Sequence, residues 1–225
     1  MCGRYRLKDP DRVLDALRAV FGERLGPVRL ERRWNIAPSQ QVTVLHAEGD
    51  QVEGQGMRWG FVPPWDRSEK PRLAPINARS EEAFGKPMFR EAVRARRCLV
   101  PADGFYEWQR TDATSKTPFC IGLTHERPFF LAGIHTDAIA DVRPPTFALL
   151  TTRPNAAVAP VHDRMPVILE ASWAASWLRP GALAEADYRL LCEPLAADQM
   201  LLWPVSTLVN NPRHESAEVC VPVGG

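Results

Sequence analysis

Four short segments of this chain carry residue types that could do chemistry, and the first lies at its start. Met1 is followed by Cys2. A small residue in second position is the kind behind which methionine aminopeptidase removes the initiator. Removal would leave a thiol and a free α-amine on adjacent carbons. Such a 1,2-aminothiol has one distinctive reaction with an aldehyde: the amine condenses to a Schiff base, and the thiol closes on the imine carbon to give a five-membered thiazolidine. An amine alone gives a hydrolysable imine, and a thiol alone a labile hemithioacetal. With an α-amine pKa near 7.7–8.0 and a thiol pKa of about 8.5, both groups are usable near neutrality if a neighbouring base helps. While Met1 stays attached, the Cys2 nitrogen is an amide and this chemistry is blocked. Many proteins also begin Met-Cys without using it.

Three further segments supply polar groups. Pro75-Ile76-Asn77-Ala78-Arg79 sets an amide and a guanidinium two residues apart, hence on one side of an extended segment. Gly104-Phe105-Tyr106-Glu107-Trp108 places a carboxylate inside an aromatic strand, where desolvation should raise its pKa toward the general acid/base range. Val161-His162-Asp163-Arg164-Met165-Pro166 again spaces an imidazole and a guanidinium two apart, between apolar flanks. Each has a plainer alternative: Asn77 as a cap, Glu107 as a buried ion-pair partner, His162 as a satisfied core histidine.

The elements that must position these residues are short. Asp9-Pro10-Asp11, followed by Val13, Leu14, Leu17, Val20 and Phe21, predicts an amphipathic helix with an N-cap and a proline in its first turn. Residues 42–46 and 51–59 predict a hairpin around Glu48-Gly49-Asp50. Short helices are expected from Ser80, over 88–95, near 171–178 and over 183–191. Strand-length apolar runs occupy 98–100, 105–108, 119–123, 129–134, 147–151 and 167–169. Closely spaced turn signals between them suit a curved sheet with peripheral helices. The expectation is one α+β domain over residues 1–225, its twisted, mostly antiparallel sheet closing toward a barrel. Prolines cluster beside the polar segments, at Pro38, Pro63, Pro64, Pro75, Pro101, Pro118, Pro160 and Pro166, as rigid positioning loops or simply a loop-rich surface would use them.

Composition narrows the functional classes. A chain of 225 residues suffices for one sizeable core, and no apolar run is long enough to span a membrane. The polar, charged N-terminus does not read as a secretory signal. Five widely spaced cysteines without a CxxC pair argue against a disulfide framework or a metal site, so a reduced, cytoplasmic protein without metal or cofactor is expected. The net charge of +1 conceals an asymmetry: residues 1–110 carry 20 basic against 15 acidic side chains, and residues 111–225 carry 8 against 12. Arginine supplies most of the excess, and its planar fork suits phosphate oxygens. Charge alone does not establish a nucleic-acid partner.

Taken together and in order, the motifs Met1-Cys2-Gly3-Arg4-Tyr5, Trp34-Asn35-Ile36-Ala37-Pro38-Ser39, Arg58-Trp59-Gly60-Phe61-Val62-Pro63, Ile76-Asn77-Ala78-Arg79-Ser80-Glu81, Arg97-Cys98-Leu99-Val100-Pro101-Ala102-Asp103-Gly104-Phe105-Tyr106-Glu107-Trp108, His162-Asp163-Arg164-Met165-Pro166 and Pro204-Val205-Ser206 before Val209-Asn210 carry a resemblance. The chain resembles the SOS-response-associated peptidase (SRAP) family, the abasic-site-processing proteins, from Cys2 to about Pro222. That resemblance implies Cys2 as nucleophile once Met1 is gone, Asn77 as the amide-bearing site residue, Glu107 as acid/base and His162 as the histidine. It also implies Arg4, Arg79 and Arg164 as phosphate ligands. Trp65 would be a stacking face or wedge, with Pro38 and Ser39 on the same rim. The implied activity is covalent capture of abasic sites in single-stranded DNA by a monomer, with (auto)peptidase or lyase-type activity alongside. Two alternatives remain: an N-terminal-cysteine peptidase, and a non-covalent single-stranded-DNA-binding module.

Overall fold

The computed structural model describes residues 2–112 and 115–223. Its strands form two sheets. The first runs in the order β13 (Met200–Pro204), β8 (Lys116–Leu123), β7 (Gly104–Arg110), β1 (Tyr5–Leu7), β2 (Arg33–Ile36), all antiparallel. The second contains β3 (Gln41–Glu48), β4 (Gln51–Trp59), β6 (Arg97–Ala102), β9 (Phe129–Thr136) and β10 (Thr146–Thr152). Here β10 pairs with both β4 and β9, so the strands form a closed ring. Short strands β5 (Asn77–Arg79), β11 (Met165–Pro166) and β12 (Ile168–Leu169) attach to β10, β10 and β9. The expected α+β architecture is therefore present. Among the strand pairs of the described residues, only those of β10 with β4 and β5 are parallel.

Local chemistry explains the elements. Helix α1 (Pro10–Phe21) starts where the Asp9 carboxylate accepts from the Arg12 N–H, with Pro10 in its first turn, and buries Val13, Leu17 and Phe21 along one stripe. The predicted hairpin is β3–β4. Its turn has Gly49 at φ 57°, the positive value that two-residue hairpin turns need at their first position. Helices α2 (Ser80–Ala83), α3 (Arg90–Ala95), α4 (Ala171–Trp177) and α5 (Glu185–Leu191) match the four expected positions, each shorter than predicted except α2.

Two buried cations fasten the scaffold. Arg6 Nε lies 3.1 Å from Asp103 Oδ1, and Asp103 Oδ2 also accepts from the Lys8 and Asp9 N–H groups at 2.6 and 2.9 Å. This pins β1, and with it the chain's start, against the β6–β7 junction. Gly104 is required there, because a Cβ would stand 2.5 Å from Arg6 Nε. Arg97 is buried with no carboxylate partner among the described residues. It donates to the carbonyls of Val93, Arg94, Trp177, Arg179 and Gly181, joining the C-terminal ends of α3 and α4, where carbonyl dipoles favour a cation. Arg97→Ala strands those carbonyls, and we expect a loss of about 3 kcal/mol, read by urea denaturation.

Candidate active site

Residues 2–6 run antiparallel to β7. Tyr5 faces Phe105, and the Tyr106 N–H donates to the Arg4 carbonyl at 2.9 Å. Continuing that register toward the N-terminus brings Cys2 alongside Glu107 and Trp108. Cys2 is fully buried, and its thiol lies 3.8 Å from the Arg4 carbonyl. Asn77 reaches the same point from β5, donating through Nδ2 to the Cys2 carbonyl at 2.8 Å. Its Oδ1 is buried with no hydrogen-bond partner among the described residues, so an acceptor faces this spot.

Strand alternation turns Glu107 and Gln109 to one face of β7. Both meet the loop that carries His162. Gln109 Nε2 donates to the Pro160 carbonyl at 3.0 Å, and His162 Nε2 lies 3.9 Å from Glu107 Oε2. The loop is stiffened from within. Asn155 Oδ1 accepts from the Ala157 and Val158 N–H groups, and the His162 N–H donates to the Val158 carbonyl. His162 Nδ1 accepts from the Arg164 N–H at 3.0 Å, which puts the proton of a neutral imidazole on Nε2, facing Glu107. The Asp163 carboxylate stands 2.9 Å from the same Nδ1, ready to accept from it once the ring is charged.

Burial sets the protonation states. It pushes Glu107 up from the usual carboxylate range to about 7, so both forms of this carboxyl are populated near neutrality. Burial, and then the charge of Glu107, push the Cys2 thiol well above its ordinary value, so it stays protonated. Burial also lowers His162, favouring the neutral ring. The cluster holds a carboxyl that can give or take a proton at pH 7, beside a protonated sulfur and an imidazole N–H donor.

The remaining candidates lie at varied distances from this centre. Arg79 faces Thr151 across β5–β10, with its side chain 60% exposed and 3.2 Å from Glu82. Arg164 comes to the same residue from the other side, donating to the Thr151 carbonyl at 2.6 Å and bidentately to Glu81 at 2.7 Å. The two guanidiniums thus share one neighbourhood, and Arg164 is held by an acidic partner that local sequence did not reveal. Arg4 is half-buried, donates to Asn35 Oδ1 at 2.8 Å, and lies 5.9 Å from the Trp108 ring centre. Pro38 and Ser39 form the turn between β2 and β3. Ser39 takes φ 70°, a left-handed conformation costly for a residue with a side chain, and its N–H donates to the Trp59 carbonyl. Trp65 is 64% exposed in a loop held by Arg143 at the Pro63 and Asp66 carbonyls, and makes no hydrogen bond or ring contact with the central four. Sequence reasoning passed over Gln109 and assigned no role to Asn35. A polar side chain between apolar neighbours in a strand was the available signal for Asn35.

Among the described residues, no group of three or more His, Cys, Asp or Glu side chains could hold a metal ion, and no helix is long and apolar enough to cross a membrane.

The α+β scaffold thus sets Cys2 against the amide of Asn77 and brings a carboxyl raised to about 7 and an imidazole to the same cluster. The chain belongs to the SOS response associated peptidase (SRAP) family, whose model matches residues 1–212. It is similar to the abasic site processing protein YoaM of Bacillus subtilis (36% identical over 222 residues, covering 97% of each chain). It is also similar to the abasic site processing protein YedK of Escherichia coli (31% identical, covering 99% of this chain and 100% of the other). A crystal structure of a Bacteroides thetaiotaomicron protein superposes with a TM-score of 0.82 at 25% identity, covering 99% of this chain and 100% of that one.

Proposed function

We propose that this protein processes abasic sites in DNA by capturing them covalently in single strands, through Cys2 after Met1 is removed. The observation that carries this reading is the meeting of Cys2, Asn77, Glu107 and His162, brought from four separate segments to one place. The names of the relatives supply the lesion.

An abasic site in its ring-opened form presents a C1′ aldehyde. The buried thiol stays protonated, so the amine attacks first. Glu107 takes a proton from the ammonium and returns it to the carbinolamine hydroxyl, which departs as water and leaves a protonated imine. The thiol sulfur then bonds to the carbon of the protonated imine, and the thiol proton passes to Glu107, left ionised by the previous step. Aldehyde plus aminothiol becomes thiazolidine plus one water, with no oxidant or metal required. Asn77 Oδ1 accepts from the amine, and His162 Nε2–H donates to the sugar oxygen during ring opening or reversal. Single-stranded DNA suits the site, because a missing base costs nothing to extrude and no partner strand must be displaced. Arg4, Arg79 and Arg164 hold phosphates. Pro38, Ser39 and Trp65 form the rim against which neighbouring bases rest.

The test is incubation with an abasic single-stranded oligonucleotide, an intact one and unrelated peptides, followed by a denaturing gel and intact-mass analysis. A shifted heat-stable band with the abasic strand alone, from protein that has lost one methionine, supports capture. Cleaved peptide without such a band assigns a peptidase instead. For the phosphate contacts, Arg79→Ala should weaken binding and flatten the salt dependence of log K by about 0.7, the value for one single-strand phosphate. An unchanged slope removes Arg79 from the track.

A further inference from the structure

Asn35 lies wholly buried in β2, an amide with every polar atom engaged. Its Oδ1 accepts from Arg4 Nη1 at 2.8 Å. Its Nδ2 donates to the carbonyls of Val209, Asn211 and His214 at 3.3, 3.1 and 3.0 Å. The same Arg4 nitrogen also donates to the Val209 carbonyl. Residues 209–214 therefore form a strap that one amide joins to the guanidinium two residues from Cys2. A second clasp closes the strap. The Glu215 carboxylate accepts from the Trp34 and Asn35 N–H groups and from Arg33 Nε, the last at 3.1 Å. Across the strap, Asn210 Oδ1 accepts from Trp108 Nε1 at 2.7 Å, fixing the ring that lies beside Arg4. A side chain as flexible as arginine loses about 2 kcal/mol of rotamer freedom when ordered on a ligand. Here that ordering precedes any ligand.

We propose that Asn35 and Glu215 are positioning residues for the DNA backbone. Through the strap of residues 209–214 they hold the Arg4 guanidinium ready to donate to the phosphate beside the lesion. This rests on the reading of Arg4 as a phosphate ligand and deepens it: the strap, contributed by the far end of the chain, completes the grip next to Cys2. Glu215 and His214 lie beyond the stretch matched by the family model.

The experiment measures binding of a single-stranded oligonucleotide carrying a tetrahydrofuran abasic analogue, by fluorescence anisotropy across a salt series. The analogue has no aldehyde, so the readout is independent of adduct formation. Glu215→Gln weakens the outer clasp with little risk to folding, and Asn35→Ser removes the inner one. We expect each to weaken binding about fivefold at low salt and to flatten the salt slope toward that of Arg4→Ala, by about 0.7. Arg4→Ala combined with Asn35→Ser should flatten it no further than Arg4→Ala alone. A lowered melting temperature with an unchanged slope in both strap variants overturns the positioning role while leaving Arg4 as a ligand. An unchanged slope in Arg4→Ala overturns the phosphate assignment of Arg4 and the strap proposal with it. Failure of the unaltered protein to form a heat-stable adduct on natural abasic DNA, with these slopes as expected, would instead count against covalent capture.

Discussion

Cys2→Ala is expected to abolish the heat-stable adduct with abasic single-stranded DNA, a loss beyond about a hundredfold because the sulfur is a reactant and not an accelerator. Alanine is also small, so Met1 would still be removed and the α-amine would remain. The variant should therefore still condense with the aldehyde. It would yield an imine that falls apart on heating but survives if trapped with borohydride. Comparing heated samples with and without the reductant separates the two nucleophiles. An undiminished heat-stable band from Cys2→Ala defeats the assignment of the thiol. No band even after reduction places the amine elsewhere. Because Cys2 is fully buried, the same substitution also opens a small void, and circular dichroism should accompany the gel to confirm that the fold is retained.

Glu107→Gln is expected to slow adduct formation by roughly 10²-fold, within the range for general acid–base help, while affinity for the tetrahydrofuran analogue stays within about twofold. The rate of the unaltered protein should rise with pH through the region near 7, where Glu107 ionises, and level off above it. The variant should lose the acidic limb of that profile. Stability carries an opposite signature. The folded carboxyl titrates at about 7, above the usual 4.5, because burial disfavours the charge. Its stabilising contribution is complete below pH 4.5 and is lost as pH rises through 7. Glutamine carries no such penalty, so at pH 8 the variant should be the more stable by about 2 kcal/mol, with no gain at pH 4. Thermal melts at the two pH values read the difference. A variant that no longer binds DNA, or that is destabilised at both, makes Glu107 a structural residue.

How much of this could be read from the chain alone depends on the range of the interaction. Helix α1 was legible because its signals are neighbours: a capping carboxylate, a proline in the first turn and apolar residues four apart. The β3–β4 hairpin was legible for the same reason, since its turn and both strands lie within nineteen consecutive residues. The chemistry of Cys2 was legible because an aminothiol is a property of one residue. The desolvation of Glu107 followed from its aromatic neighbours in β7.

Strands β1, β2 and β13 were not foreseen. Tyr5–Leu7 and Arg33–Ile36 are short, each carrying an arginine, and become strands because β7 and each other supply their hydrogen-bond partners. The ring closes only when β10 finds β4 and β9, and no local pattern records the parallel pairing. The partners of Arg164 and Arg4 are equally remote. Glu81 lies 83 residues from the first, and the Val209 carbonyl 205 residues from the second. Residue type and short-range spacing determined which groups could react, because reactivity and helix or turn preference reside in a few bonds. Tertiary structure alone decided which groups meet, how dry their meeting place is and which charges are already paired, because those are set by contacts between segments that the chain leaves far apart.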